Sequence, residues 1–279
     1  MKARCDVLLE DHRTDGLRSG EGSAVVLRDG SILLIYTHFD GSGDFSPGRL
    51  VQRRSTDGGR TWSEKALFRD LPAGSVNLMS VSLLRLADGR LGCVYIHKMV
   101  KERDDILFMT SSDDGKTWTE PRSATNNTPG YYCVNNDRLV QLSSGRLLIP
   151  YALHRNENNQ FDSHGLLGCF ISDDAGASWR FSKQQIQLLP SNVRAPRQVS
   201  PGKPPVLEML QPKGVVVQEP GVIEVAGGRM MMWARSNSGY AYRTFSRDGG
   251  ETWEPLTAIS EFAMLIGGNT GVLLNNEMD

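Results

Sequence analysis

The chain alternates short apolar runs with glycine-centred turns, and this pattern predicts strands. Leu27-Arg-Asp29-Gly30-Ser-Ile-Leu-Leu-Ile-Tyr36 is matched by Leu86-Ala-Asp88-Gly89-Arg-Leu-Gly-Cys-Val-Tyr95. Leu142-Ser-Ser-Gly145-Arg-Leu-Leu-Ile-Pro-Tyr151 and Val225-Ala-Gly-Gly228-Arg-Met-Met-Met-Trp-Ala234 follow the same plan. Apolar runs on both sides of a D-G or S-G pair are β-hairpins with a tight turn. No long apolar stripe with a period of about 3.6 residues interrupts them, so little helix is expected.

A second repeat is interleaved with the hairpins. Ser55-Thr-Asp57-Gly-Gly59-Arg-Thr61-Trp62 recurs as Ser111-Ser-Asp113-Asp-Gly115-Lys-Thr117-Trp118. It returns as Ser172-Asp-Asp174-Ala-Gly176-Ala-Ser178-Trp179 and as Ser246-Arg-Asp248-Gly-Gly250-Glu-Thr252-Trp253. The template S-x-D-x-G-x-[ST]-W describes a turn. Its Ser and Asp can bond nearby backbone N–H groups, its Gly can take positive φ, and its Trp can pack against a neighbouring unit. Each unit is therefore strand, Gly turn, strand, long loop, strand, Asp turn, strand: the layout of a β-propeller blade.

Composition narrows the class. With 23% charged and 39% hydrophobic residues the chain can build a core, so disorder is excluded. A net charge of -1 lacks the basic excess of a nucleic-acid binder. No apolar run approaches a membrane span, and no hydrophobic signal region follows Met1, so the expected setting is cytoplasmic, without membrane partners. Cys5, Cys93, Cys133 and Cys169 contain no C-x-x-C pair and read as free thiols.

The S-x-D-x-G-x-[ST]-W box resembles the Asp-box, or BNR repeat, of sialidases and sialidase-like proteins. That resemblance implies an all-β fold, a six-bladed β-propeller of the sialidase type, with residues 1–279 as one domain. Hairpins near Gly30, Gly89, Gly145, Gly228 and Gly271 supply four blades and part of a fifth, so the sequence reads as truncated. The box is specific for architecture and much less so for chemistry, since non-enzymatic propellers also carry it.

Topology predicts which side chains converge. In an antiparallel four-stranded blade, the starts of strand 1, the ends of strand 2 and the 2–3 loops share one end, opposite the Asp turns. Nine residues before each hairpin Gly stand Glu21, Ser80, Asn136 and Glu219, and seven to nine after it stand His38, His97, His154 and Arg235. Asp40 and Asp44 join from the first 2–3 loop, and Asp137 and Arg138 from the third strand 1. The result is a polar mouth of carbohydrate size. Tyr36, Tyr95 and Tyr151 read as packing residues. Three loop-end histidines make a metal conceivable, but no ligand spacing supports one, and no metal or cofactor is expected.

The family resemblance assigns roles to some of these. It implies Asp44 as acid/base, Glu219 as the group that polarises a nucleophilic tyrosine, and Arg235 as one arginine of a carboxylate-binding triad. Glu21 stands where the family has the first triad arginine, with Arg18 nearby but out of register, so an acidic sugar should be repelled. The expectation is an exo-acting glycoside hydrolase on a terminal sugar of a glycan, unlike a standard sialidase, with a non-catalytic glycan- or protein-binding propeller as the rival.

Overall fold

A computed structural model describes Leu9 and residues 17–100, 103–155, 161–188 and 215–263, with side chains of 155 and 260–263 left aside. The hairpin near Gly271 and Cys5 lie outside the described residues. The fold is all-β, and no α-helix occurs among the described residues. The first repeat comprises β1 (Arg18–Val26), β2 (Ile32–Phe39), β3 (Gly48–Ser55) and β4 (Ala66–Arg69). The second comprises β5 (Asn77–Arg85), β6 (Leu91–Val100), β7 (Arg103–Ser111) and β8 (Arg122–Ser123). In the third, β9 (Tyr132–Cys133) and β10 (Val140–Gln141) both pair with β11 (Leu147–Arg155), followed by β12 (Phe161–Ser172) and β13 (Arg180–Phe181). The fourth comprises β14 (Val217–Val225), β15 (Arg229–Ser236), β16 (Tyr240–Ser246) and β17 (Thr257–Ala263).

Pairing within each repeat is antiparallel. A parallel bridge, Gly48 to Asn77, joins the first two sheets. The apolar clusters lie between neighbouring sheets. Leu33, Ile35 and Leu50 pack with Leu83, Leu91 and Tyr95; Val94, Ile106 and Phe108 pack with Tyr132, Tyr151 and Trp179; Leu148 and Leu167 pack with Val222, Met232 and Trp253. Tyr36, Tyr95 and Tyr151 are buried packing residues as the sequence indicated. Each sheet therefore needs its neighbour to remove its apolar faces from water.

The Asp turns form as their chemistry requires. Gly59 N–H donates to Ser55 Oγ at 2.8 Å, while Thr61 N–H and Thr61 Oγ1 donate to the two oxygens of Asp57 at 2.9 and 2.6 Å. The same bonds recur around Asp113, Asp174 and Asp248. They hold the Asp57 carboxyl well down, at about 2. Arginines then tie the last three turns to the preceding repeats: Arg54 donates to the carbonyls of Asp114 and Gly115, Arg90 to that of Ala175, and Arg146 to those of Asp248 and Gly249. Trp179 meets Phe108 of the preceding repeat edge-on, with ring centroids 5.2 Å apart.

Gly176 sits beneath that same Phe108 at φ +88°, where an added Cβ would lie 2.0 Å from Phe108 Cε1. Gly145 has a similar φ of +91° but open space around it. Gly145→Ala should therefore cost about 1 kcal/mol for backbone strain alone. Gly176→Ala should cost about 3 kcal/mol, because overpacking adds to the strain. Urea denaturation of both variants checks the difference, and equal losses would refute the packing role.

Candidate functional site

The first strand of each repeat carries a local distortion. Between Gly20 and Ser23, Met79 and Ser82, and Gln218 and Gly221, three steps on the strand face two on its partner, so one extra residue bulges out. In the third repeat, seven steps from Cys133 to Val140 face four from Ala152 to Leu148, and the strand splits. Within these bulges Glu21, Ser80, Asp137 and Glu219 hold positive φ of 52–58°. Non-glycine residues rarely do so, and such strain clusters at ligand sites. The equivalent residue in the third repeat is therefore Asp137, one position beyond Asn136, because the longer bulge shifts the count.

A cavity of about 660 Å³ opens at this end, within the range of small-ligand sites. Glu21, Asp44, Glu219, Arg235 and His154 all line it, as the topology predicted. His38, His97, Asp137 and Arg138 are not among its lining residues. The reason is strand parity: successive side chains point to opposite faces. His154 stands nine residues after its hairpin Gly and Arg235 seven, whereas His38 and His97 stand eight after theirs. His38 instead meets Ser19 Oγ at 2.9 Å and Lys65 Nζ at 3.5 Å, and His97 meets Ser75 Oγ at 2.7 Å. Asp137 accepts a hydrogen bond from Ser23 Oγ, and Arg138 lies 5.8 Å over the Trp233 ring.

On one wall, Arg18 is shared. It donates to Asp44 at 2.5 Å and to Glu21 at 3.0 Å, and its guanidinium lies 4.2 Å over the Phe39 ring. The loop bearing Asp44 is pinned by Asn77, whose Nδ2 donates to the carbonyls of Asp44 and Ser46 at 2.8 and 3.2 Å. Glu21 also accepts from Ser80 Oγ at 2.5 Å. Burial pushes the Glu21 carboxyl above its usual range, against the bonds from Ser80 and Arg18, and Asp44 adds to the rise. On the opposite repeat, Arg235 grips Glu219 with both ends of its fork at 2.6 Å.

Two further lining residues were not singled out from the sequence. Lys98 is only 3% exposed, 3.8 Å from Asp104 and 3.5 Å from the Tyr131 hydroxyl, with its ammonium 4.6 Å over the Tyr131 ring. It stands nine residues after Gly89, the position that His154 holds after Gly145. Parity counting alone would have found it. Arg18, set aside as out of register, reaches the mouth because it stands three residues before the bulged Glu21.

Residues 100–264 match the BNR repeat-like domain, and residues 53–64 match the BNR/Asp-box repeat. The chain is similar to a sialidase of Micromonospora viridifaciens, 24% identical over 267 residues, covering 83% of this chain and 35% of the relative. It is also similar to a sialidase of Bacteroides fragilis (strain YCH46), 27% identical over 156 residues, covering 46% and 27%. It thus spans about a third of the length of these curated relatives. Among solved structures, a protein of unknown function from Dyadobacter fermentans DSM 18053 aligns with a TM-score of 0.63 and 20% identity, over 88% of this chain and 70% of that one. The intramolecular trans-sialidase from Ruminococcus gnavus, solved in complex with oseltamivir carboxylate, aligns at 0.63 and 14%, over 90% and 72%. These likenesses show the fold.

Glu21→Gln removes a carboxyl whose ionisation opposes folding. A raised folded-state value means that stability is present at low pH and is lost as pH rises through that value. The variant should match the parent in thermal stability near pH 4 and equal or exceed it at pH 7. A variant that is less stable at pH 7 than at pH 4, relative to the parent, would refute this account of Glu21.

Proposed function

The chain belongs to the BNR repeat-like, or Asp-box, family of sialidase-like proteins, and on that premise we propose that it is a glycoside hydrolase acting on a terminal sugar of a glycan. The architecture we propose is a six-bladed propeller, of which these repeats are consecutive blades. The observation that carries the reading is the pair of carboxylate–arginine groups on different repeats, Asp44–Arg18 and Glu219–Arg235, lining one cavity. Asp44, the more exposed carboxyl at 45%, is the proton donor to the departing oxygen and then the base that activates water. Glu219, fixed by Arg235, is the group that polarises the attacking nucleophile.

A second reading is supported by the same ion pairs. Among the described residues, each cation that lines the cavity has a carboxylate beside it, which suits a propeller that holds a glycan without cleaving it. A panel of chromogenic glycosides, assayed with the parent, Asp44→Asn and Glu219→Gln, separates the two. The hydrolase reading expects turnover of at least one glycoside and a loss of roughly 10²–10⁴-fold in each variant. Glycan binding without turnover, unchanged by Asp44→Asn, would replace it with the binding reading.

A further inference from the structure

We propose that Lys98 is a ligand-binding residue of this mouth, its ammonium donating a charge-assisted hydrogen bond to an acceptor oxygen of the bound sugar. The inference rests on the reading of the mouth as a glycan site and names a contact that site makes.

The strand register brings Lys98 here. It stands nine residues after Gly89, on β6, opposite Asn77 of β5 and Asp104 of β7. Lys98 is 3% exposed and Asp104 2%, so little of either meets bulk water. A lysine is seldom buried without close partners, because its three ammonium hydrogens each need an acceptor once water is removed. Among the described residues those acceptors fall short. Asp104 Oδ1 lies 3.8 Å away, near enough to offset charge and too far for a hydrogen bond. The Tyr131 hydroxyl, at 3.5 Å, is at the outer limit. The other neighbours are ring faces, Tyr131 at 4.6 Å and Phe45 at 4.9 Å, which attract a cation but offer no lone pair.

The arginines of the same cavity are bonded differently. Arg18 reaches its carboxylates at 2.5 and 3.0 Å, and Arg235 reaches Glu219 at 2.6 Å. Lys98 has no bond that short among the described residues, yet it lines the same cavity. Its ammonium is already withdrawn from bulk water and held against two rings, so a bond to a ligand oxygen costs little further desolvation or ordering. Phe45 directly follows Asp44, which puts this ammonium beside the loop that carries the proposed proton donor. A sugar oxygen on Lys98 therefore orients the ring relative to Asp44. A hydroxyl, ring or carboxylate oxygen each meets the requirement. A water molecule does too, and the test separates it from a ligand.

Titration calorimetry on the full chain at pH 7, with methyl galactoside, fucoside, galacturonide and sialoside, tests this. We expect at least one to bind, and Lys98→Met to weaken that binding by roughly tenfold or more, the worth of a charge-assisted hydrogen bond. Lys98→Arg, which keeps the charge and the donors, should recover part of the loss. Lys98→Met leaves Asp104 buried without its cation, so Lys98→Met/Asp104→Asn is measured beside it and should bind at least as weakly. Nitrogen-15 spectra of the lysine-labelled parent should show the Lys98 ammonium signal move as that glycoside saturates the chain. A loss confined to the acidic sugars assigns the accepted oxygen to a carboxylate, and one shared with the neutral sugars assigns it to a hydroxyl or ring oxygen; both support the contact. Binding by Lys98→Met within about threefold of the parent overturns it, as a water on the ammonium requires, and leaves the glycan reading standing. An unmoved Lys98 signal overturns it even if no variant folds. Binding of none of these glycosides by the parent overturns the glycan reading as well.

Discussion

The mouth depends on one backbone device, the bulge in the first strand of each repeat that holds a non-glycine residue at positive φ. Glu21, Ser80, Asp137 and Glu219 each occupy it. A regular strand would send alternate side chains to the sheet faces; the extra residue turns one of them away from that alternation. Three of the four line the cavity, and Glu21 and Ser80 bond to each other across adjacent repeats at 2.5 Å. Each such residue carries a strain of about 1–2 kcal/mol, so the surroundings must hold it. Ser23 and Ser82, which close the first two bulges, accept the backbone N–H groups of Leu83 and Leu139 from the next repeat. These two bulges are thus locked by the neighbours they face.

The opposite end supplies the rigidity that this requires. There the Asp turns satisfy their own N–H groups, and arginines from the preceding repeat cap their carbonyls. Arg146 also lies 2.6 Å from Asp173, and Arg180 2.6 Å from Glu251, so charge links the third and fourth repeats at the same rim. The antiparallel strand order makes this division unavoidable. Whatever fixes the turns cannot crowd the mouth, and whatever strains the mouth is remote from the turns.

This division also explains what the sequence made legible. The Asp turns were readable because their residues act within eight positions of one another, so the motif is its own geometry. The hairpins were readable from glycine and apolar alternation, and together these led to the all-β repeat and to the end at which Glu21, Asp44, Glu219 and Arg235 gather. The rest hinged on details that sum over distance. Counting seven to nine residues after each glycine merges two faces of a strand, which is how His38 and His97 joined the candidate list and Lys98 did not. A single count before each glycine finds a cavity-lining residue in every repeat, Asn136 in the third, although the longer bulge there moves the positive φ on to Asp137. Arg18 was discounted on register, yet a long side chain three residues from a bulge need not share its register to reach the same cavity.

Arg18 also couples the two carboxyls it joins. Glu21 is pressed toward its neutral form by burial, and the charge of Asp44 presses it further. Arg18 bonds both, Asp44 at 2.5 Å and Glu21 at 3.0 Å. The two carboxyls share one cation, beside a cavity also lined by Glu219, which Arg235 clamps. A site that must donate a proton at one position and retain a negative charge at another needs its carboxyls in unequal environments. Here the inequality follows from burial and from one shared arginine, and both trace back to the bulge that carries Glu21 inward while Asp44 stays on its loop at the rim.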